Sequence, residues 1–151
     1  MDLYILVDSS TKPTSKHDKR GESIAAWAAW WSNDSRGKPV AAGVHYLRHS
    51  GPNKCFYLGI IRALEHCLPM CWSNKVIIMG DCEPVLKQLN KIWQVSSMAL
   101  EYKQVMGLIK KYKEKGNEIV FSYLSENNSE YKNIDQLAKR SHKHFLTILK
   151  R

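Results

Sequence analysis

Short apolar runs separated by polar turns fill the first part of the chain, and this pattern predicts β-strands. The run Leu3–Asp8 leads into a polar and basic loop, Thr11–Gly21. The next segment, Ser23–Ser32, is rich in alanine, which favours a helix, and in tryptophan, which favours a strand. Because this segment has no caps and no polar stripe, we interpret it as a strand buried on both faces. A turn signal then leads to a returning strand, Pro39–Arg48.

Helical patterns alternate with apolar runs in the rest of the chain. Apolar residues recur at helical spacing from Asn53 to Leu68, and Pro69 ends this first long helix. The later patterns predict strands Lys75–Gly80 and Glu118–Leu124, and helices Pro84–Ile92, Ser97–Lys115 and Ile134–Leu149. The middle one of these helices is expected to stop at Gly116 and to bury an apolar stripe of Leu100, Val105, Leu108, Ile109 and Tyr112.

These elements follow one another in the order β-β-β-α-β-α-α-β-α. Three strands joined by hairpins and followed by alternating helices and strands predict an α/β fold, in which helices flank a five-stranded mixed sheet. Residues 1–151 contain no repeat, linker or low-complexity tract. The sequence therefore predicts a single domain over its whole length.

A surplus of positive charge distinguishes the composition. The 151 residues include 23 lysines and arginines against 14 aspartates and glutamates, which gives a formal net charge of +9. This charge favours a polyanionic partner, above all a nucleic acid, although a basic protein without such a partner has the same composition. No apolar run is long enough to span a membrane, and the first apolar run lacks the basic start of a signal peptide. We therefore expect an intracellular protein, cytoplasmic or nuclear.

Four cysteines are present, and without a sign of secretion we expect them to be free thiols. Cys67 and Cys71 are four residues apart, and His66 is adjacent. A zinc site would need a second pair of ligands at comparable spacing, and the sequence offers none. The cysteines are therefore expected to be small buried apolar residues.

Three aspartates stand where a strand ends or a helix begins. Asp8 closes the first strand, Asp81 follows the fourth, and Asp135 opens the last helix. If the first and fourth strands are neighbours, Asp8 and Asp81 face each other across one edge of the sheet, within reach of the last helix. Converging carboxylates need a divalent cation, and hard oxygen ligands select Mg²⁺ or Mn²⁺. Each aspartate taken alone also fits a helix cap.

Four short motifs in register resemble those of the ribonuclease H type 1 family. They are Asp8-Ser9-Ser10, Gly80-Asp81-Cys82, Val85–Trp93 and Asn133-Ile134-Asp135-Gln136-Leu137-Ala138. The resemblance covers nearly the whole chain and suggests a retroelement domain or a host-adopted copy. It implies the RNase H-like fold and cleavage of the RNA strand of RNA–DNA hybrids. It also implies that Asp8, Asp81 and Asp135 are catalytic residues that bind Mg²⁺ or Mn²⁺.

Two departures from the family pattern concern this site. Active members carry a glutamate in the first long helix, and that position falls on Phe56 here, because Ala63-Leu64-Glu65 fixes the register. Many active members have a histidine in the loop before the last aspartate, and residues 124–131 contain none. We therefore expect a degenerate site with little or no nuclease activity, a pseudoenzyme. Metal ligation through Glu126 or Glu130 would reverse that expectation, and the alternative is an active Mg²⁺-dependent ribonuclease H.

The residues expected to contact nucleic acid surround the same edge of the sheet. The resemblance places Asn53 where the family reads the minor groove of a hybrid, with Lys54 beside it. Ser10 and Thr11 are polar and adjacent, and Lys12 opens a series of basic residues that could contact phosphates. The resulting hypothesis is a domain that binds RNA–DNA hybrid or duplex RNA. A second alternative is a module that reuses the fold to bind a protein partner or a neighbouring domain.

Overall fold

The computed structural model describes residues 1–12, 21–33, 39–48, 51–91, 99–124, 136 and 140. The strands are β1 (Asp2–Lys12), β2 (Glu22–Trp31), β3 (Ala41–Arg48), β4 (Lys75–Gly80) and β5 (Glu118–Tyr123). The helices are α1 (Gly51–Cys67), α2 (Glu83–Leu89) and α3 (Ala99–Glu114), and a 3₁₀ turn, Leu68–Met70, follows α1. The predicted last helix lies outside the described residues, apart from Gln136 and Arg140, which are helical.

The five strands form one mixed sheet in the order β3-β2-β1-β4-β5. β1 pairs with β2 and β2 with β3 in antiparallel fashion, whereas β1 pairs with β4 and β4 with β5 in parallel. The predicted fold class is thereby confirmed, and the first and fourth strands are neighbours, which was the condition for Asp8 and Asp81 to face each other. Parallel pairing brings the carboxyl ends of β1, β4 and β5 to the same edge of the sheet.

β2 is buried on both faces, as its composition predicted. Trp27 and Ala29 belong to the core on one face of the sheet, which includes α1. Ile24, Ala26 and Ala28 belong to a second apolar cluster, which also contains Leu6 and Trp30. Small alanines suit this strand because it lies between β1 and β3 in the sheet, where close packing on two faces leaves little room.

Helices α1 and α3 pack against each other over one face of the sheet. The Tyr112 hydroxyl donates a hydrogen bond of 2.5 Å to the carbonyl oxygen of Leu64. Leu100 was predicted to belong to the buried stripe of α3, but this prediction is wrong, since 67% of Leu100 is exposed. The inward face begins one residue later, at Glu101, and continues four and seven residues on with Val105 and Leu108. Leu100 is turned off that face by the helical rotation per residue.

The ends of the later helices follow from backbone geometry. α2 stops at Leu89, earlier than predicted, and Lys91 then has a φ of 61°, which no longer continues a right-handed helix. α3 is followed by Gly116 with a φ of 79°, as expected for a helix that glycine terminates. Its amide donates to the Lys113 carbonyl at 2.9 Å, which satisfies one of the last acceptors of α3.

The cysteines behave as the sequence predicted. All four are free thiols, and Cys55, Cys67 and Cys71 are buried. Burial raises the pKa of Cys67 to about 12, and the neighbouring Cys71 adds to the effect. Within the described part of the chain, no group of three histidine, cysteine or acidic side chains is arranged to hold a metal ion. In that same part, no helix combines the length and hydropathy that crossing a membrane requires.

A partly buried hydrogen bond joins β2 to β3 and makes stability depend on pH. Trp27 Nε1 donates to His45 Nε2 at 3.0 Å, which requires a neutral His45. Burial lowers the pKa of His45 below its usual 6.5, Arg62 lowers it further, and Glu65 opposes the shift. A group whose pKa is depressed on folding binds fewer protons when folded, so it stabilises the fold above pH 6.5 and loses this contribution as the pH falls.

We expect the free energy of unfolding to drop between about pH 7.5 and about pH 5, by more in the wild type than in His45→Gln. Glutamine retains an acceptor for the Trp27 N–H but does not titrate. Urea unfolding of both proteins at the two pH values measures the difference. Equal pH dependence in the two proteins would show that folding does not lower the pKa of His45.

Candidate nucleic-acid interface and metal site

The register of β1 and β4 brings two of the three predicted aspartates to one edge. Leu6 is level with Met79 in the parallel pair, and Asp8 and Asp81 each lie two residues further on. β5 ends beside them, because Tyr123 is level with Gly80. The third aspartate, Asp135, lies outside the described residues.

The two carboxylates differ in their environment. Asp8 is only 2% exposed, whereas Asp81 is partly exposed. Two thiols lie within electrostatic reach of them. Burial raises the pKa of Cys55 to about 12, and the Asp8 carboxylate adds to the shift. Burial likewise raises the pKa of Cys82 to about 11, with smaller contributions from Asp81 and Asp8. The site is therefore a mostly buried edge, in which negative charge is placed next to neutral thiols.

Phe56 fills the space beneath this edge. The residue is fully buried and belongs to the core between α1 and the sheet. Its ring lies against Gly80, the residue before Asp81: a Cβ at Gly80 would be 2.3 Å from Phe56 Cζ and 2.6 Å from Cε2. The same Cβ would be 2.9 Å from the carbonyl oxygen of Val7, which precedes Asp8. The ring therefore packs against the residue that precedes Asp81, and only glycine leaves it room at position 80.

The described residues do not fit a two-metal centre. They bring two carboxylates to this edge, and Phe56, which the resemblance places at the position of the family's glutamate, is an apolar ring in the core. No third histidine, cysteine or acidic side chain among them completes a metal-binding group. A phenyl ring offers no ligand to Mg²⁺ or Mn²⁺, which prefer oxygen.

The predicted nucleic-acid contacts lie around the amino-terminal end of α1 and the end of β1. Asn53 is partly exposed in the first turn of α1, and its Oδ1 accepts a hydrogen bond of 3.3 Å from the Cys82 thiol. Lys54 is exposed, but its ammonium lies 3.7 Å from the carboxylate of Glu101 on α3. Neither partner can be predicted from the sequence, because each contact depends on how α1 packs on its neighbours.

The end of β1 presents hydroxyl groups. Ser10 and Thr11 are partly buried, and Thr11 Oγ1 shares a hydrogen bond of 2.8 Å with Ser23 Oγ on β2. Ser9 Oγ donates to the carbonyl oxygen of Pro52 at 3.4 Å, and this contact ties the strand to the start of α1. Lys12 is the last residue of β1 and is level with Glu22 of β2.

The sheet order, the helices on its face and the paired aspartates at its edge define a ribonuclease H-like domain. The RNase H1 of Halobacterium salinarum is similar, with a TM-score of 0.76, 16% identity and coverage of 95% of this chain and 99% of that one. An RNase H1 from compost, solved in complex with an RNA/DNA hybrid, is similar with a TM-score of 0.69 and 16% identity, and the match covers 93% of this chain and 99% of that one. The protease-reverse transcriptase of prototype foamy virus is similar with a TM-score of 0.67 and 10% identity, and the match covers 92% of this chain and 20% of that one.

The sequence itself assigns the family. The model of the reverse transcriptase-like family matches residues 14–142, so this chain belongs to that family. The predicted resemblance to ribonuclease H and the link to retroelements are thereby confirmed at the level of family and fold. Among curated protein sequences, none matches the chain.

Proposed function

We propose that this domain binds RNA–DNA hybrid or duplex RNA at the edge formed by Asp8, Asp81 and the start of α1, and that it has little or no nuclease activity. The observation that carries the proposal is the buried Phe56 ring, packed against Gly80 beneath the two aspartates. The ring takes the place from which the family's glutamate would reach the metal. Replacing one carboxylate ligand in such a site weakens the binding of the metal ion. A lost catalytic group typically lowers the rate by orders of magnitude.

The burial of Asp8 supports the same proposal. A carboxylate that is 2% exposed is poorly placed to share a metal ion with a phosphate that arrives from solvent. Neutral thiols, Cys55 and Cys82, stand beside it and supply no charge. The edge keeps its shape while it lacks the oxygen ligands that in-line attack on a phosphate requires.

The binding part of the proposal depends on charge and on one amide. The chain has a net charge of +9, which favours a polyanion and makes affinity fall with salt. Asn53 is partly exposed, and its Oδ1 faces the Cys82 thiol, which leaves the amide N–H₂ as the group that can donate to a minor-groove acceptor. A similar fold, the compost RNase H1, is known in complex with an RNA/DNA hybrid. The foamy-virus likeness supports an origin in a retroelement.

We expect the wild-type protein to bind a labelled RNA–DNA hybrid without cutting it in Mg²⁺ or in Mn²⁺. Binding should weaken as salt is raised, and Asn53→Ala should reduce the preference for hybrid over DNA duplex by about tenfold, the value of one hydrogen bond. Fluorescence anisotropy and gel analysis of the same samples measure the two properties.

Asp81→Asn is the control for cleavage. If the wild type cleaves the hybrid and Asp81→Asn does not, the domain is an active metal-dependent ribonuclease and the degenerate-site hypothesis is wrong. If the wild type neither cleaves nor binds, the nucleic-acid proposal fails, and a protein partner becomes the better hypothesis.

A further inference from the structure

Trp72 is an exposed aromatic residue at the end of the sheet opposite the aspartates. It lies in the turn between the 3₁₀ segment and β4, and 70% of it is exposed. Met1 is close by, because Asn74 Nδ2 donates to its carbonyl oxygen at 2.9 Å, and 65% of Met1 is exposed. Two large apolar residues are therefore exposed near each other, and adjoining exposed apolar side chains indicate an interaction site more than a single one does.

The turn that carries Trp72 is fixed by side-chain hydrogen bonds. The Trp72 amide donates to Asn74 Oδ1 at 2.8 Å, and the Asn74 amide donates to Asn117 Oδ1 at 2.8 Å. Asn117 is 5% exposed, and its Nδ2 donates to the Cys71 carbonyl at 3.2 Å. Asn74 and Asn117 thus hold the backbone on both sides of Trp72 through hydrogen bonds. A side chain presented by an ordered backbone loses less entropy on binding than one on a loose loop.

The charges around the ring favour an anionic partner. The Lys115 ammonium lies 5.4 Å from the centroid of the Trp72 ring and donates to the Leu68 carbonyl. Lys111 is one helical turn earlier, and it is exposed. This region has fewer acidic residues than lysines, and one of the acidic residues, Glu114, lies among the lysines of α3. On the sheet, Lys75 is level with both Asp2 and Glu118, so it offsets one of these two negative charges.

We propose that Trp72, Lys111 and Lys115 form a second nucleic-acid contact, in which an unpaired nucleobase stacks on the indole ring and the adjoining phosphates face the lysines. An aromatic ring combined with cations is the arrangement that binds single strands without sequence preference. This contact and the aspartate edge lie at opposite ends of β4, which has six residues and is therefore about 20 Å long. A nucleic-acid strand covers this distance in about six nucleotides. The proposal rests on the proposed function, since it extends the bound nucleic acid beyond that edge.

The proposal predicts that a single-stranded extension improves binding. A hybrid with a ten-nucleotide overhang should bind the wild type about 5- to 100-fold more tightly than the blunt hybrid, the range expected for one stacked base. Trp72→Ala should abolish this gain and leave the affinity for the blunt hybrid unchanged. Trp72→Phe, which keeps a ring, should retain part of the gain. Lys111→Gln should reduce the gain and weaken its salt dependence.

The outcomes separate this proposal from the proposed function. An overhang gain that persists in Trp72→Ala overturns the second contact, while hybrid binding itself stands. A wild type that binds a free single strand through Trp72 but no hybrid keeps the contact and refutes the hybrid proposal. A wild type that binds none of these probes refutes both. If sedimentation shows a wild-type dimer that Trp72→Ala dissociates, the surface joins two copies and the nucleic-acid contact is wrong.

Discussion

Replacing Phe56 by glutamate is expected to lower the free energy of unfolding by about 3–5 kcal/mol in the absence of metal. The new carboxylate would be buried in the apolar core that Phe56 now fills. Mn²⁺ should recover part of this loss, because a cation that binds only the folded state stabilises it, by about 2.7 kcal/mol at one hundred times its dissociation constant. Denaturant unfolding with and without Mn²⁺ measures both effects.

Phe56→Gln is the matched control for this experiment, because glutamine has nearly the same shape as glutamate but carries no charge. We expect Mn²⁺ to stabilise Phe56→Glu and to leave Phe56→Gln and the wild type unchanged. If Phe56→Glu is unfolded without metal, folding on addition of Mn²⁺ is the same result. Equal stabilisation of the wild type would show that its remaining ligands suffice, which contradicts the degenerate site. If Mn²⁺ stabilises none of the variants, a carboxylate at position 56 does not complete a metal site with Asp8 and Asp81.

Replacing Gly80 by alanine is expected to cost about 1–3 kcal/mol of stability through overpacking. The added methyl group would meet Phe56 Cζ at 2.3 Å and the Val7 carbonyl oxygen at 2.9 Å. Phe56→Leu, which lacks the far end of the ring, should relieve the first clash but not the second. The double variant should therefore be more stable than the sum of the single effects predicts, by about 0.5–3 kcal/mol.

Gly107→Ala provides the control for this cycle. A Cβ at Gly107 would meet nothing within 4 Å, and the residue is exposed in α3. We expect this substitution to be neutral or to stabilise the protein by up to about 1 kcal/mol through helix propensity. Thermal or urea unfolding of the five proteins gives all of these values. Strictly additive effects of Gly80→Ala and Phe56→Leu would show that the ring does not press on Gly80.

These two predictions address the same physical feature. The core extends up to Gly80, the residue before Asp81, because the aromatic ring of Phe56 packs against it. We propose that Phe56 stands in place of the family's glutamate, which would remove a ligand and add apolar packing under β4. Such a site would retain the fold's edge as a surface while it loses the chemistry.

The periodicity of the sequence predicted most elements, but not which neighbours their residues would meet. The alternating elements predicted the sheet class, and the tryptophans of β2 indicated burial on both faces. The stripe of α3 was assigned one residue too early, because Leu100 is apolar and Glu101 is not. Pattern reasoning treats a glutamate as exposed, whereas the side chain of Glu101 is largely covered where it faces Lys54 on α1.

The sequence predicts most strands and helices, the positions of Asp8 and Asp81 at strand ends, and a phenylalanine where the resemblance expects a glutamate. These are local properties, set by spacing, turn residues and side-chain type along a few consecutive positions. Folding was needed to show that the Phe56 ring packs on Gly80, that Cys82 contacts Asn53, and that Trp72 is exposed on a fixed turn. Each of these joins residues distant in the chain, and their distances depend on how the helices and strands pack.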